Sequence, residues 1–321
     1  MNKAKILILG GLREDALADL KEKCDVTVGP VGHRMEDDRE WVIDHIGDYE
    51  GLIVAKMPID HTILDHAKNL KIISTYGVGF DRIDLDYAKE KGIVVTNCPV
   101  SVARPTAELA LAMILACARR LHFYDHTMRE GVFLNMNEYD NQGYTIEGKT
   151  LGILGMGKIG QMVAKFGQML GMKVIYHNRS QVSAEIEKDL GAEYVDLPTL
   201  LKESDYLTLH APATDETKQV IDAAALKQMK ETACLINVAR GSLVEQTALV
   251  QALKSGEIAG AGLDVFEDET EPDERLTALD NVIMTPHVGA ATHKARFDLT
   301  KEAAKNISSY LVDGKILNQV K

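Results

Sequence analysis

Short apolar runs recur along the chain, each followed by a polar or amphipathic stretch. Up to residue 97 they read AKILILGG, CDVTVG, GLIVA, LKIISTYG and GIVVTN, with a helical pattern through REDALADLKEK after the first. Strand-like runs alternating with helices are the signature of βαβ units, in which a parallel sheet is covered on both faces. The pattern then changes. Residues 105–131, PTAELALAMILACARRLHFYDHTMREG, read as one long helix with Pro105 in its first turn. From residue 150 the alternation restarts with TLGILG, KVIYHN, AEYVD, YLTLHAP, ACLINVAR, AGAGLDVF and NVIMTPHVG. A closing helical stretch, THKARFDLTKEAAKNISSYLVDG, can return to the first series of strands. The pattern therefore predicts an α/β protein with two doubly wound parallel-sheet domains. The long helix is more apolar than one surface stripe requires, so it is buried within its own chain or against a second subunit.

Composition narrows the class. At 321 residues the chain is long enough for two domains, and 45% hydrophobic content with 5% aromatic is ordinary for a water-soluble α/β protein. A formal charge of -12 argues against a general nucleic-acid or anionic-membrane surface, so a phosphate ligand must be held locally. Cys24, Cys98, Cys117 and Cys234 are widely spaced with no Cys-x-x-Cys pair, which predicts reduced, buried thiols. The apolar run at the start is too short for a signal peptide, and no run is long enough to span a membrane. A cytoplasmic location is the expectation.

Gly155, Gly157 and Gly160 in TLGILGMGKIG have the G-x-G-x-x-G spacing between a strand and a helix. The three glycines serve a tight turn, close backbone approach to a pyrophosphate, and helix-to-strand packing. The helix from Lys158 turns free N–H groups and a positive dipole end towards the phosphates. About 20 positions on, such a loop calls for an acid that holds the adenosine ribose. Asn178-Arg179-Ser180 stand there instead. With no carboxylate to repel a 2'-phosphate, and a guanidinium fork and a hydroxyl to bind one, the trio favours NADP(H), with NAD(H) also open.

Three strand ends of the second series carry ionisable residues: NVARG, LDVFEDE and TPHVG. Carboxyl edges of consecutive strands converge on one crevice, where Arg240, Glu269 and His287 supply a cationic anchor, a base and an acid. His122 and His126, one helical turn apart without a third ligand nearby, are read as structural, and no metal site is expected.

Over nearly its whole length the sequence resembles the D-isomer-specific 2-hydroxyacid dehydrogenase family. The resemblance rests on STYGVGFDRIDLDYAKEKGIVVTN, PTAELALAMIL, GKTLGILGMGKIG, LHAPATDETKQVI, INVARGSLVE, AGAGLDVFEDE and NVIMTPHVGAAT, in the family's order. It implies a Rossmann-type nucleotide-binding domain over 102–292 and a flavodoxin-like substrate domain over 1–101 and 293–321, with the active site in the cleft. It makes Arg240 the substrate anchor, Glu269 the partner of histidine and His287 the proton donor. For the cofactor it points to Thr106, Gly155 to Gly160 (Met156, Gly157, Lys158 and Ile159 included), Asn178, Arg179, Ser180, Pro212, Thr217, Val238, Ala239, Arg240, Asp264, His287 and Gly289. Asp264 would bond the nicotinamide carboxamide. Thr270 stands where the family usually has proline.

The backbone of Val78 and Gly79 lies where the family grips the substrate carboxylate, and glycine there lets a ligand approach closely. Lys56 would line the outer pocket. Ala55 replaces the arginine that phosphoglycerate dehydrogenases use for phosphate, which points to glyoxylate or hydroxypyruvate, with 2-ketogluconate or 3-phosphoglycerate chemistry as alternatives. Hydride transfer from formate or phosphite is a further reading. A different class of function, a dinucleotide-sensing corepressor, is compatible with the same residues. Phe133 near a usual tryptophan predicts only a packing change, and the long helix predicts a homodimer.

Overall fold

The computed structural model describes residues 3–30 and 35–320, with the backbone alone at 35–37 and 140. The chain divides into two compact units, Met1–Val102 with Ala290–Lys321, and Ala103–Gly289.

The first unit holds five strands: β1 (Lys5–Leu9), β2 (Asp25–Val28), β3 (Gly51–Val54), β4 (Ile72–Thr75) and β5 (Val94–Thr96). They pair in parallel in the order β2-β1-β3-β4-β5. Every residue of β3 and β4 is buried, as an all-parallel sheet with helices on both faces demands. The order reverses between β1 and β3, so the loops leaving their carboxyl ends flank a switch point. Gly10, at φ +144°, ends β1 there, and a Cβ on it would lie 2.8 Å from the Ala55 Cβ. The helix His293–Leu311 covers β3 and β4. Its buried Asn306 donates to the Ser74 hydroxyl at 3.2 Å and the Asn97 carbonyl at 2.9 Å. Glu302 on the same helix accepts from the Ser101 N–H at 2.9 Å.

The second unit holds β6 (Thr150–Leu154), β7 (Lys173–His177), β8 (Ala192–Tyr194), β9 (Tyr206–Leu209), β10 (Cys234–Asn237), β11 (Gly260–Leu263) and β12 (Val282–Met284). All pairs are parallel, in the order β12-β11-β10-β9-β6-β7-β8. The chain runs outward from β6 through β7 to β8 and returns to β9 on the other side, which puts the switch point between β6 and β9.

The apolar stretch at 105–131 is not one helix. It forms Ala103–Ala118 and Leu121–Arg129, broken at Arg120, whose φ is 50°. Continuation would need the Ala118 carbonyl to accept from residue 122. That carbonyl accepts from the Tyr144 N–H at 2.7 Å instead. The Arg120 guanidinium stacks on the Phe123 ring, 4.3 Å from its centroid. The first helix is buried within its own unit, against the helix Lys158–Met169 and the strands β10 and β11. The second has no buried residue. Phe133 after it is 87% exposed, so it does not adjust packing within its own unit as expected.

All four cysteines are free; Cys24, Cys98 and Cys234 are buried, but Cys117 is only partly so. Burial pushes the Cys98 thiol up, and a hydrogen bond with Cys234 together with burial raises Cys117, so neither is a ready nucleophile. No helix among the described residues is long and apolar enough to cross a membrane.

Candidate active site

The glycine loop occupies the switch point of the second sheet. Gly155 has φ +103°, and a Cβ on it would lie 2.4 Å from the Ala211 N. Glycine is therefore required for the loop after β6 to pack on the loop after β9. A Cβ on Gly160 would lie 2.2 Å from the Gly155 carbonyl oxygen, so the third glycine lets the helix close on its own loop. Gly157, the N-cap of the helix Lys158–Met169, faces open space, with nothing within 4 Å of the position of a Cβ. That space, at the N-terminus of a 12-residue helix, fits a pyrophosphate. Met156 within the loop is only 2% exposed, so its side chain belongs to the core and only its backbone can serve a ligand.

At the end of β7, Asn178 closes a turn by donating from Nδ2 to the Ser180 carbonyl at 3.1 Å. Its own carbonyl accepts from the Tyr194 hydroxyl at 3.2 Å. Arg179 and Ser180 are exposed beyond this turn. The loop after β9 is closed by Thr217, whose hydroxyl donates to the Pro212 carbonyl at 2.7 Å and accepts from the Thr214 N–H at 2.8 Å. Val238 is buried, and Thr106 is buried against Gly289, where a Cβ would lie 3.3 Å from the Thr106 Oγ1.

The loop after β10 is shaped by Asn237, which is 1% exposed. It accepts from the Ala239 N–H at 3.0 Å and donates to the Arg240 carbonyl at 2.8 Å. The side chain of Arg240 donates to the Ala239 carbonyl at 2.8 Å. The next residue, Gly241, touches the loop after β11: a Cβ there would clash with the Phe266 carbonyl and the Glu267 N. The loops carrying Arg240 and Glu269 are thus in backbone contact. Glu267 and Gln246 exchange two hydrogen bonds, at 3.3 and 3.2 Å, and Gln246 donates to Asp273 at 2.7 Å, which braces the segment around Glu269. Asp268 accepts from the N–H and the hydroxyl of Thr270 and closes the turn without the expected proline.

His287 receives Glu269 symmetrically, with Nδ1 3.0 Å from both carboxylate oxygens. The imidazole side chain is 47% exposed and the carboxylate 30%, so both groups of the pair are accessible within their unit. An ionised carboxylate only accepts, so this contact places a proton on Nδ1. His287 has φ 55°, and its N–H bonds to the Asp264 carbonyl at 2.9 Å. Asp264, 1% exposed, accepts from Thr285, Val288 and Gly289.

One further group, His210, lies in the motif LHAPATDETKQVI but is not among the expected site residues. The His210 Nε2 lies 2.9 Å from the Thr208 hydroxyl, and its Nδ1 is buried with no partner among the described residues. Burial pushes this imidazole down to about 3, so it is neutral at ordinary pH. His122 and His126 stack at 6.4 Å, and no group of three His, Cys, Asp or Glu suited to a metal occurs among the described residues.

In the first unit, the loop after β4 holds its carbonyls inward: Gly77 accepts from the Thr75 hydroxyl at 2.9 Å, and Val78 from Asn97 at 2.8 Å. The N–H groups of Val78 and Gly79 have no partner among the described residues. The Lys56 carbonyl accepts from Arg82 at 2.8 Å, and its ammonium is exposed.

A family model described as D-isomer specific 2-hydroxyacid dehydrogenase, NAD binding domain, matches residues 111–289. A glyoxylate reductase of Thermococcus litoralis is 47% identical over 256 residues, 78% of this chain and 77% of that one. One from Thermococcus onnurineus is 39% identical over 98% of both chains. Among solved structures, a glyoxylate reductase from Paecilomyes thermophila superposes with a TM-score of 0.91 at 30% identity, covering 100% of this chain and 99% of that one. The NADPH-dependent glyoxylate/hydroxypyruvate reductase of Sinorhizobium meliloti, in complex with NADP and malonate, gives 0.88 at 30%, covering 99% and 97%.

Fold and site together define an oxidoreductase that uses a nicotinamide dinucleotide and acts on a CH–OH group. The chain belongs to the D-isomer-specific 2-hydroxyacid dehydrogenase family.

Proposed function

We propose that this chain reduces small, unphosphorylated 2-oxo acids, glyoxylate and hydroxypyruvate foremost, to D-2-hydroxy acids, with NADPH preferred over NADH. The observation that carries the reading is the His287–Glu269 pair at 3.0 Å, seated one strand from the loop of Arg240. A bound reduced nicotinamide supplies the hydride. His287, held at Nδ1 by Glu269, delivers the Nε2 proton to the substrate's carbonyl oxygen. Arg240 neutralises the carboxylate and the developing oxyanion. The N–H groups of Val78 and Gly79, without a partner among the described residues, suit a carboxylate, and the exposed Lys56 of the same unit supplies a positive charge to the outer pocket. The pyrophosphate falls to the Gly155–Gly160 loop, the 2'-phosphate to Asn178, Arg179 and Ser180, and the remaining cofactor contacts to Thr106, Pro212, Thr217, Val238, Ala239, Asp264 and Gly289. Ala55 in place of an arginine supports an unphosphorylated substrate.

We infer as well that two copies pair through the helix Leu121–Arg129 and the loop beyond it, where Leu121, Met128, Phe133 and Tyr139 are all exposed. Apolar exposure on this scale is what an obligate partner covers. Free thiols and a soluble α/β fold support action in the cytoplasm.

The test is the initial rate of glyoxylate and hydroxypyruvate reduction with NADPH and NADH at equal, limiting concentration. Faster turnover with NADPH supports both parts of the proposal. Preference for NADH removes the phosphate role of Arg179, and no turnover with either acid removes the substrate assignment.

A further inference from the structure

The segment that carries His287 is tied down from beneath by Thr285. Its hydroxyl donates to Asp264 Oδ1 at 2.5 Å. The same oxygen accepts from the Val288 N–H at 2.7 Å, and Oδ2 accepts from the Gly289 N–H at 2.8 Å. The His287 N–H bonds to the Asp264 carbonyl at 2.9 Å, so residues 285, 287, 288 and 289 all converge on one buried residue. Asp264 is placed in turn by its own N–H to the Asn237 carbonyl at 2.9 Å. Between these anchors His287 holds φ 55°, a conformation a residue with a Cβ keeps only when its surroundings over-determine it. The hydroxyl of Thr285 fixes the rotation of the Asp264 carboxylate, so that Oδ1 meets Val288 and Oδ2 meets Gly289. Without it the carboxylate can turn, the two N–H bonds lengthen, and the His287 backbone can relax towards negative φ, swinging the ring off Glu269.

We propose that Thr285 is a positioning residue: through Asp264 it sets the backbone conformation of His287 and hence the direction of the Nε2 proton. The inference rests on the reading of His287 as the proton donor. It also gives Asp264 a task in the cofactor-free protein beyond the contact with a carboxamide expected of it.

Thr285→Val is nearly isosteric and deletes the hydroxyl, and Thr285→Ser restores it. Three quantities decide: amide hydrogen exchange at Val288 and Gly289 without cofactor, the NADPH dissociation constant by fluorescence, and kcat and KM for glyoxylate. In Thr285→Val, exchange should quicken by about tenfold or more and kcat should fall by about tenfold, while KM and NADPH affinity stay within about twofold. Thr285→Ser should match the wild type on every count. Unchanged exchange and kcat in the valine variant would overturn the proposal. So would lost NADPH affinity with kcat preserved, which would make Thr285 part of the cofactor site, or an equal loss in the serine variant, which would reduce its role to methyl packing. If the wild type itself reduces no 2-oxo acid, the proposed function fails, and the exchange comparison alone decides whether Thr285 holds the loop.

Discussion

Glu269 presents both carboxylate oxygens to His287 Nδ1 at 3.0 Å, although the two residues come from loops after different strands. A carboxylate so placed holds one tautomer and the orientation of the ring. Glu269→Gln keeps an acceptor but removes the charge. It should lower kcat for glyoxylate reduction by roughly 10- to 100-fold, within the range expected of one member of an acid–base pair, and leave NADPH affinity unchanged. Stopped-flow turnover beside a fluorescence titration reads both. Unaltered kcat would remove Glu269 from the proton transfer.

Arg240 extends from a loop shaped by Asn237 and pressed on the next loop at Gly241. Arg240→Ala should abolish measurable turnover, because an unpaired substrate carboxylate and oxyanion both lose their counter-charge. Binding of NADPH should persist. Loss of cofactor binding with the fold retained by circular dichroism would defeat the anchor role.

The glycines of the loop are not interchangeable. Gly155→Ala meets the Ala211 backbone at 2.4 Å with φ +103° and should cost stability, on the order of 1–3 kcal/mol, seen as a lower Tm without ligand. Gly157→Ala enters open space at φ -77° and should leave Tm within a degree or two while weakening NADPH binding. If both variants lose Tm equally, Gly157 serves the fold and not the pyrophosphate.

Arg179 is exposed beyond a turn closed by Asn178. Arg179→Ala should raise the KM for NADPH by roughly tenfold to a hundredfold, since a charge-assisted bond to phosphate contributes about 1.5–3 kcal/mol, and leave the KM for NADH nearly unchanged. Equal effects on both cofactors would remove the phosphate contact.

How far the sequence announces all this differs between elements. Buried parallel strands read as apolar runs such as GLIVA and YLTLHAP, and the twelve strands among the described residues stand where the alternation puts them, including the edge strands β2 and β8, which have no buried residue. The glycine loop and the His287, Glu269 and Arg240 loops are legible because each follows a strand at its carboxyl edge. The break at Arg120 is not, because it depends on Tyr144 taking the Ala118 carbonyl from 26 positions further along the chain. The task of Thr285 is also silent in sequence, since its hydroxyl acts on Asp264, which only the sheet order brings near, whereas Asn237 shapes its own loop through bonds to Ala239 and Arg240. A polar residue ending an apolar strand, as in INVARG, is the one signal that marks Asn237.

His210 allows a test by pH. Its imidazole is held at about 3 by burial, against 6.5 for an ordinary histidine. Below pH 6.5 the unfolded chain therefore takes up a proton that the folded chain refuses. More protons are bound in the unfolded state, so stability falls as pH falls, by about 1.4 kcal/mol per unit, until the folded group also titrates near 3. His210→Gln keeps a polar tip but has nothing to protonate. Other groups titrate in both proteins and cancel in the difference. In urea unfolding between pH 7 and 4, any stability advantage of the wild type over His210→Gln should be full at pH 7 and shrink by that slope below 6.5. A difference independent of pH would show that His210 is protonated in the folded protein, and that its Nδ1 has found an acceptor.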